Sequence, residues 1–254
     1  MGTSKSFVTP EGGKWTPLKR NIGKFFSGTP DIPQGPVLGT AIGAIGGLLP
    51  GYPPGPGGTP SQQAATRVGN AIGGLAAFGQ ALVDGGLDNA LGLLGMGDLS
   101  GRSASEVIGH IAEHIGGGND GLAEPILISS LRDTFIEIAQ LGGELGYQDL
   151  ESSLQQFLTT AGIEGLIEVF LGYLVFDCVW VHIEQYLGDR QHPNSEVEAF
   201  SIALENESRS QVRALIDHMK TAGRFEAIDW FGHGGQTLAR DTATALQQQL
   251  LSLA

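Results

Sequence analysis

The sequence predicts an all-α protein: an irregular bundle of six to eight helices preceded by a long, largely disordered amino-terminal arm. Two observations lead to this prediction. Through most of residues 61–254, apolar residues recur every three or four positions, which is the period of an amphipathic helix. By contrast, ten of the 12 prolines fall within residues 1–60, and proline interrupts regular elements. We therefore divide the chain into a flexible Gly/Pro-rich arm, residues 1–60, and an acidic helical domain, residues 61–254.

The arm has features that a plain linker lacks. Its first 36 residues show no sustained helical or strand period, yet Trp15, Phe25 and Phe26 are large aromatic residues that are unusual in a pure linker. These side chains are expected either to dock the arm onto a groove or to serve as anchors for a partner. Regular structure is expected to begin near residue 60.

Residues 37–49 form an apolar run within the arm. Its glycines make two overlapping GxxxG patterns, at Gly39, Gly43 and Gly47, a spacing typical of closely packed membrane helices. The run has 13 residues, whereas a helix that spans a membrane needs about 20. We therefore interpret it as a short packed helix or loop.

The domain itself opens with a helical period over residues 64–94, interrupted at Asp84-Gly85-Gly86. Ser103 or Ser105 is predicted to cap the next helix, which runs to residue 115 and stops at a glycine-rich loop. Pro125 suits the first turn of the helix that follows.

The remaining helices are predicted over residues 149–160, 163–187, 195–219 and 236–251. The second of these is the most apolar segment of the chain, and its apolar residues cover most of the helix circumference. A helix of this kind has to be buried on all sides. Residues 163–187 are therefore predicted to form the central helix of the bundle.

The charges divide at the same boundary as the prolines. Residues 1–60 carry five basic and two acidic side chains, whereas the remainder carries nine basic and 25 acidic ones. An acidic body repels phosphate backbones, so direct nucleic-acid binding by the domain is disfavoured. The single cysteine, Cys178, lies in an apolar run and is expected to be buried. With no apolar signal-peptide segment after the first basic residues, a cytoplasmic location is expected.

One pattern in the domain points to enzymatic chemistry. His110, Glu113 and His114 match the HxxEH motif of zinc metalloproteases, in which two histidines bind the metal and the glutamate activates water. The apolar stripe of this helix places both histidines at its solvent-side margin, and nothing selects a third ligand. We therefore favour a plain boundary pair, with no catalytic residue, bound metal or cofactor.

The amino terminus is the segment for which packing offers no explanation. Removal of Met1 would leave Gly2 as a sterically bare terminus that another protein can easily grip or modify. Met1-Gly2-x-x-x-Ser6 also fits the pattern for N-myristoylation. The nearby lysines are too sparse, and the body too acidic, to favour that alternative.

Several stretches resemble the B component of the Qat anti-phage defence system. The resemblance is carried by the start Met1-Gly2-Thr3-Ser4-x-Ser6, the Gly/Pro-rich arm, and a helical run with these motifs: Arg67-Val-Gly-Asn70, Asp84-Gly-Gly-Leu87, Leu99-Ser-Gly-Arg102 and Gly116-Gly117-Gly118. It covers most of residues 1–190.

The resemblance implies a small non-enzymatic protein encoded beside an ATPase, a QueC-like enzyme and a TatD-like nuclease. QueC-like enzymes adenylate a carboxylated deazaguanine, and some defence enzymes of this type are thought to attach the base to a protein amino terminus. The acceptor here would be the α-amine of Gly2, with Thr3, Ser4, Lys5 and Ser6 contacting the enzyme. An α-amine has a pKa near 8, so a useful fraction is neutral and nucleophilic at pH 7.

Two further functions remain as alternatives. A membrane-active effector would use the glycine-spaced residues 37–49 and 69–97. A zinc hydrolase would be centred on His110, Glu113 and His114. The favoured hypothesis is an interaction protein whose arm is the substrate and whose helical body docks the modifying enzyme.

Overall fold

The computed structural model describes residues 13–27, 33–49, 61–117, 123–139, 146–190, 192–226 and 228–254. Over these residues the prediction of an all-α bundle of six to eight helices is confirmed, since they form eight α-helices and no strand. A 3-10 turn, Gly13–Trp15, precedes them. The helices are α1 Thr16–Phe26, α2 Gly35–Ile45, α3 Gln62–Leu93, α4 Ala104–Gly116, α5 Ala123–Ala139, α6 Tyr147–Gly188, α7 Asn194–Thr221 and α8 His233–Leu251.

The second half of α6 is the centre of the bundle, as the sequence predicted for residues 163–187. It packs against α3, α5 and α7. Its buried apolar side chains lie on several sides of the helix: Leu166, Ile167, Phe170, Leu171, Leu174, Val175, Val179 and Ile183. Burial of apolar surface on several sides makes this helix a large contributor to the hydrophobic stabilisation of the fold.

Glycines with positive φ interrupt the two longest helices. Gly86, with φ 81°, kinks α3 where the sequence predicted an interruption. Gly162, with φ 72°, joins the helices predicted over residues 149–160 and 163–187 into the kinked α6. The Gly86 kink frees the amide of Leu87, which donates to Glu151 Oε1 of α6 at 2.9 Å. The break in α3 is thereby tied to the central helix.

Ser103 is the residue that caps α4. Its Oγ accepts a hydrogen bond from the Glu106 amide at 3.3 Å, and Glu106 Oε2 accepts one from the Ser103 amide at 3.0 Å. This reciprocal arrangement is a capping box, which satisfies amides that the first helical turn leaves unpaired. Of the two candidate caps, Ser103 and Ser105, the structure selects the first.

Two stretches before residue 60 are helical, which corrects the expectation that regular structure begins near that residue. α1 and α2 have 11 residues each, and helices this short are marginal in water without tertiary contacts. Both supply buried side chains to the core: Leu18, Ile22, Val37, Leu38, Ala41 and Ile42. The surfaces that hold α2 belong to α6, α7 and α8. One contact, from Leu48 to Gln247, spans 199 residues, and a local period cannot reveal such a partner.

The GxxxG run of α2 is used for packing inside the protein. A methyl carbon added to Gly39 would lie only 2.5 Å from the Ala254 backbone nitrogen, so the end of the chain contacts the α2 backbone directly. Gly43 faces the Leu251 side chain of α8. The interpretation of residues 37–49 as a short packed helix is confirmed.

Within the described residues, α6 is long and apolar enough to cross a membrane by length and composition. In the structure, 56% of its apolar 18-residue window is buried inside the protein. The core helix of a helical bundle meets the same criteria, so this feature by itself does not favour membrane insertion.

The close crossing of α3 and α8 depends on a second glycine. A methyl carbon on Gly69 would lie 2.9 Å from the Arg240 Cα, so we expect Gly69→Ala to destabilise the fold by about 1–3 kcal/mol through overpacking. Gly92→Ala, in the same helix with no atom within 4 Å, is the matched control and is expected to stabilise by up to about 1 kcal/mol. Urea denaturation measures both. Equal effects of the two substitutions would contradict the proposed crossing.

Candidate interaction site at the root of the amino-terminal segment

The residues predicted to be modified or to bind the partner lie outside the described residues. They are Gly2, Thr3, Ser4, Lys5 and Ser6. The first residue that the structure describes is Gly13, twelve positions after Met1. What the structure does establish is how the chain that carries them is held on the body. We call Gly13–Trp15 together with α1 the arm root.

The arm root is amphipathic. Pro17 lies in the first turn of α1, where its missing amide donor costs nothing. Leu18 and Ile22, four residues apart, are buried against the body. The exposed side carries basic residues: Lys14, Arg20 and Lys24. One face of the root is therefore fixed, and the other presents positive charge to solvent.

Trp15 holds the beginning of the root against α6. Its ring lies 5.4 Å from the ring of His182, centroid to centroid. Burial lowers the pKa of His182 to about 4, so the imidazole is neutral at pH 7. Because the folded-state pKa lies below the usual 6.5, the stability that this contact contributes is complete above pH 6.5. It falls as the pH drops toward 4.

Phe25 and Phe26 hold the other end of the root. The Phe25 ring lies 4.8 Å from that of Phe200 on α7, and Phe26 stacks on His192 at 4.1 Å. Aromatic pairs of this kind add about 0.5–1.5 kcal/mol each beyond area burial. The sequence left open whether the arm aromatics dock on the body or anchor a partner. In the structure they dock on the body.

Polar contacts fasten the root to α2 and, through it, to the rest of the fold. Asn21 Nδ2 donates to the Pro36 carbonyl at 3.2 Å. Beyond α2, the Leu48 amide donates to Gln247 Oε1 of α8 at 3.0 Å, and the Cys178 thiol of α6 donates to the Leu48 carbonyl. Cys178 is fully buried, as predicted, and burial raises the pKa of its thiol. The root is thus linked, through the segment around Leu48, to the central helix α6 and to α8.

A groove that sequence reasoning missed lies beside the root, between α6 and α7. We call it the α6–α7 groove. It has a volume of about 410 Å³ and is lined by Trp180, Asn194, Val197, Glu198, Ser201 and Ile202. Ile202, at 53% exposure, is one of the most exposed large apolar side chains of the described residues. The sequence signal that could have revealed the groove is Ile202 itself, an isoleucine on the outer face of a helix rich in charged residues.

The HxxEH residues occupy a different surface. His110, Glu113 and His114 are exposed on α4 and line an open groove with Met96 and Leu99. The predicted position at the margin of the apolar stripe is confirmed, because Val107 and Ile111 on the same helix are buried. Across the described ranges, no group of three His, Cys, Asp or Glu side chains is placed to hold a metal ion.

A half-buried carboxyl group, that of Asp177, lies at the junction of α5, α6 and α7. Asp177 accepts a hydrogen bond from Ser130 Oγ at 2.6 Å. Burial, together with the nearby carboxylates of Asp133 and Glu205, raises the pKa of Asp177 to about 7 against the lowering effect of the Ser130 hydrogen bond. No motif in the sequence points to this group.

Comparisons with known proteins place the chain in a family. The family model described as "Qat anti-phage system associated protein QatB" matches residues 57–224, more than half of the 254-residue chain. The match includes α3 to α7 and leaves out the arm root and α8. No curated protein and no solved structure matches the chain significantly. The chain belongs to the QatB family, the Qat anti-phage system associated proteins.

Proposed function

We propose that this protein is a non-enzymatic, cytoplasmic component of the Qat system, and that a QueC-like enzyme attaches a deazaguanine-type base to its amino-terminal Gly2. Family membership makes the protein a component of an anti-phage system. The modification is the further step. The observation that supports it best is the arm root, which holds the chain on the body from Gly13 onward, eleven residues after Gly2.

The geometry of the root suits a substrate arm. The eleven residues from Gly2 to residue 12 can span at most about 40 Å if fully extended. An enzyme bound to the body within that distance meets the amino terminus at an effective concentration in the millimolar range. Since the root is held by neutral aromatic and apolar contacts, salt does not weaken this attachment as it would an ion pair.

The chemistry requires only a free α-amine from this chain. The neutral amine of Gly2 attacks the carbonyl carbon of the enzyme-bound acyl-adenylate. A new amide bond forms as the acyl–oxygen bond to AMP breaks, AMP leaves with the electron pair, and the amine releases a proton. Glycine has no side chain to obstruct this attack. Thr3, Ser4, Lys5 and Ser6 are proposed to contact the enzyme at its entrance.

The other functions considered have less support. The glycine-spaced residues of α2 pack against α8, so they are not free to contact a membrane. The histidines of the HxxEH motif lie exposed on α4 without a third ligand in the described part of the chain. The ATPase and the TatD-like nuclease of the same system are proposed as further partners.

The test is intact-mass analysis of the protein co-expressed with the QueC-like enzyme. The expected result is loss of Met1 and an added mass that fragmentation places on Gly2. Gly2→Val, which crowds the amine, is expected to reduce the modified fraction at least tenfold, whereas Ser6→Ala keeps the amine unchanged and serves as the control. An unmodified Gly2, or a retained Met1, would show that the proposal is wrong.

A further inference from the structure

We propose that the α6–α7 groove is the docking surface for the enzyme that modifies the amino terminus, and that it receives an apolar side chain flanked by a lysine or arginine of that enzyme. This inference rests on the proposed function, because the partner is defined by its action on Gly2. The composition, the charge and the position of the α6–α7 groove each support this assignment.

The groove has the composition of an interaction hot spot. Trp180 lines it and stacks on Phe176 with 5.6 Å between ring centroids and 14° between planes, so the indole is held in one orientation. Val197 and Ile202 line the α7 side. Tryptophan in a pre-formed apolar recess dominates the binding energy of many protein interfaces. A recess of this size accepts one large side chain of a partner.

The rim of the groove is acidic. Glu198 lines it and Glu196 lies one turn or less away, both exposed on the first turns of α7. Neither carboxylate forms an ion pair with another described residue. Asn194 and Ser201 add hydrogen-bonding groups. An exposed apolar recess with unpaired carboxylates complements an apolar side chain next to a basic one.

The position of the groove favours the modifying enzyme over an unrelated partner. Trp180 precedes His182, which holds Trp15, by two residues on α6, or about 3 Å of helix rise. The Phe200 ring lies 4.8 Å from that of Phe25 in the root and 6.5 Å from that of Trp180, centroid to centroid. An enzyme seated in the groove is therefore next to the arm root, which directly follows residues 1–12 in the chain.

A second apolar groove, between α3 and α8, lacks this placement. It is lined by Leu93, Phe231 and the glycines of α3, at the amino-terminal end of α8. α2, which the root contacts, packs toward the opposite end of α8, where Gly39 meets Ala254. The 19 residues of α8 separate the two ends by about 28 Å. An enzyme bound there would be held farther from the root.

Lysine substitutions at matched positions test the docking surface. Ile202→Lys and Glu198→Lys add positive charge to the groove, whereas Val83→Lys, at a side chain that is 58% exposed on α3, adds the same charge elsewhere. The full-length proteins are titrated with the purified enzyme by calorimetry, and circular dichroism checks that each variant folds. We expect the Kd to rise at least tenfold for Ile202→Lys and Glu198→Lys, and less than twofold for Val83→Lys.

The rate of modification supplies the second readout. With enzyme below the Kd, the full-length protein is expected to be modified at least tenfold faster than a synthetic peptide of residues 2–12. Ile202→Lys is expected to lose that advantage. Binding of Ile202→Lys within twofold of the wild type, or equal loss in Val83→Lys, would overturn the docking proposal. So would a self-associated wild type that Ile202→Lys dissociates without affecting enzyme binding.

The two proposals fail in different ways. If the wild-type protein binds the enzyme through the groove but Gly2 stays unmodified, the proposed function is wrong and the groove remains a docking surface. If Gly2 is modified equally well in the wild type and in Ile202→Lys, the modification stands and the groove is not its docking surface.

Discussion

Replacing Phe200 by alanine is expected to lower the free energy of unfolding by about 3–5 kcal/mol, the usual cost of emptying a buried aromatic site. Phe200 is fully buried on α7, between the phenylalanines of the arm root and Trp180 of α6. Its removal leaves a cavity that three elements share, and none of them can close it alone. For a chain of this size, the melting temperature should fall by about 6–20 °C.

Urea denaturation followed by circular dichroism measures the loss. Phe231→Ala is the matched control, because that phenylalanine is 47% exposed and its truncation should change stability by less than about 1 kcal/mol. The variant should also release the root before the rest of the fold. Trypsin is therefore expected to cleave after Lys19 or Lys24 faster than in the wild type, under conditions where the body stays folded. Equal stability of the two alanine variants would contradict the role assigned to Phe200.

Replacing Asp177 by asparagine is expected to stabilise the protein above pH 7 by about 2–4 kcal/mol. Burial raises the folded-state pKa of this carboxyl group from 3.8 to about 7. Between pH 3.8 and pH 7, the folded state therefore keeps a proton on Asp177 that the unfolded state has already released. Stability from the protonated group is complete below pH 3.8 and is lost as the pH rises through 7. Asparagine stays neutral and can still accept the hydrogen bond from Ser130.

The measurement is the free energy of unfolding from pH 5 to pH 8.5 for the wild type and the variant. The difference between them should grow with pH and level off above about 8. Taking this difference removes the contribution of His182, which has the opposite sign, because burial lowers its pKa. Asp84→Asn, on the exposed side of α3, is the control and should leave the slope unchanged. A difference that does not vary with pH would contradict the assignment.

The candidate site could be predicted only in part. The sequence singled out Trp15, Phe25 and Phe26 but left open whether they contact the body or a partner, because an aromatic residue in a proline-rich stretch suits both. Their contacts, His182, His192 and Phe200, lie far along the chain. The modification of Gly2 remains a prediction that the described residues do not test.

The sequence by itself determined the helices whose signals are local. Apolar periodicity marked the two halves of α6, a serine at position 103 or 105 marked the start of α4, and a pair of glycines marked the kink in α3. Each of these signals acts within one or two helical turns. The residues that cause the feature are therefore close in sequence to the residues that show it.

Three features depended on the tertiary structure: the stability of α1 and α2 as helices, the contact that Gly39 makes, and the groove lined by Trp180 and Ile202. Two 11-residue helices without a strong local signal become stable when distant surfaces bury their apolar side. A groove between two helices likewise depends on how they cross. Such features arise from contacts between residues far apart in the chain, and periodicity within one segment holds no information about them.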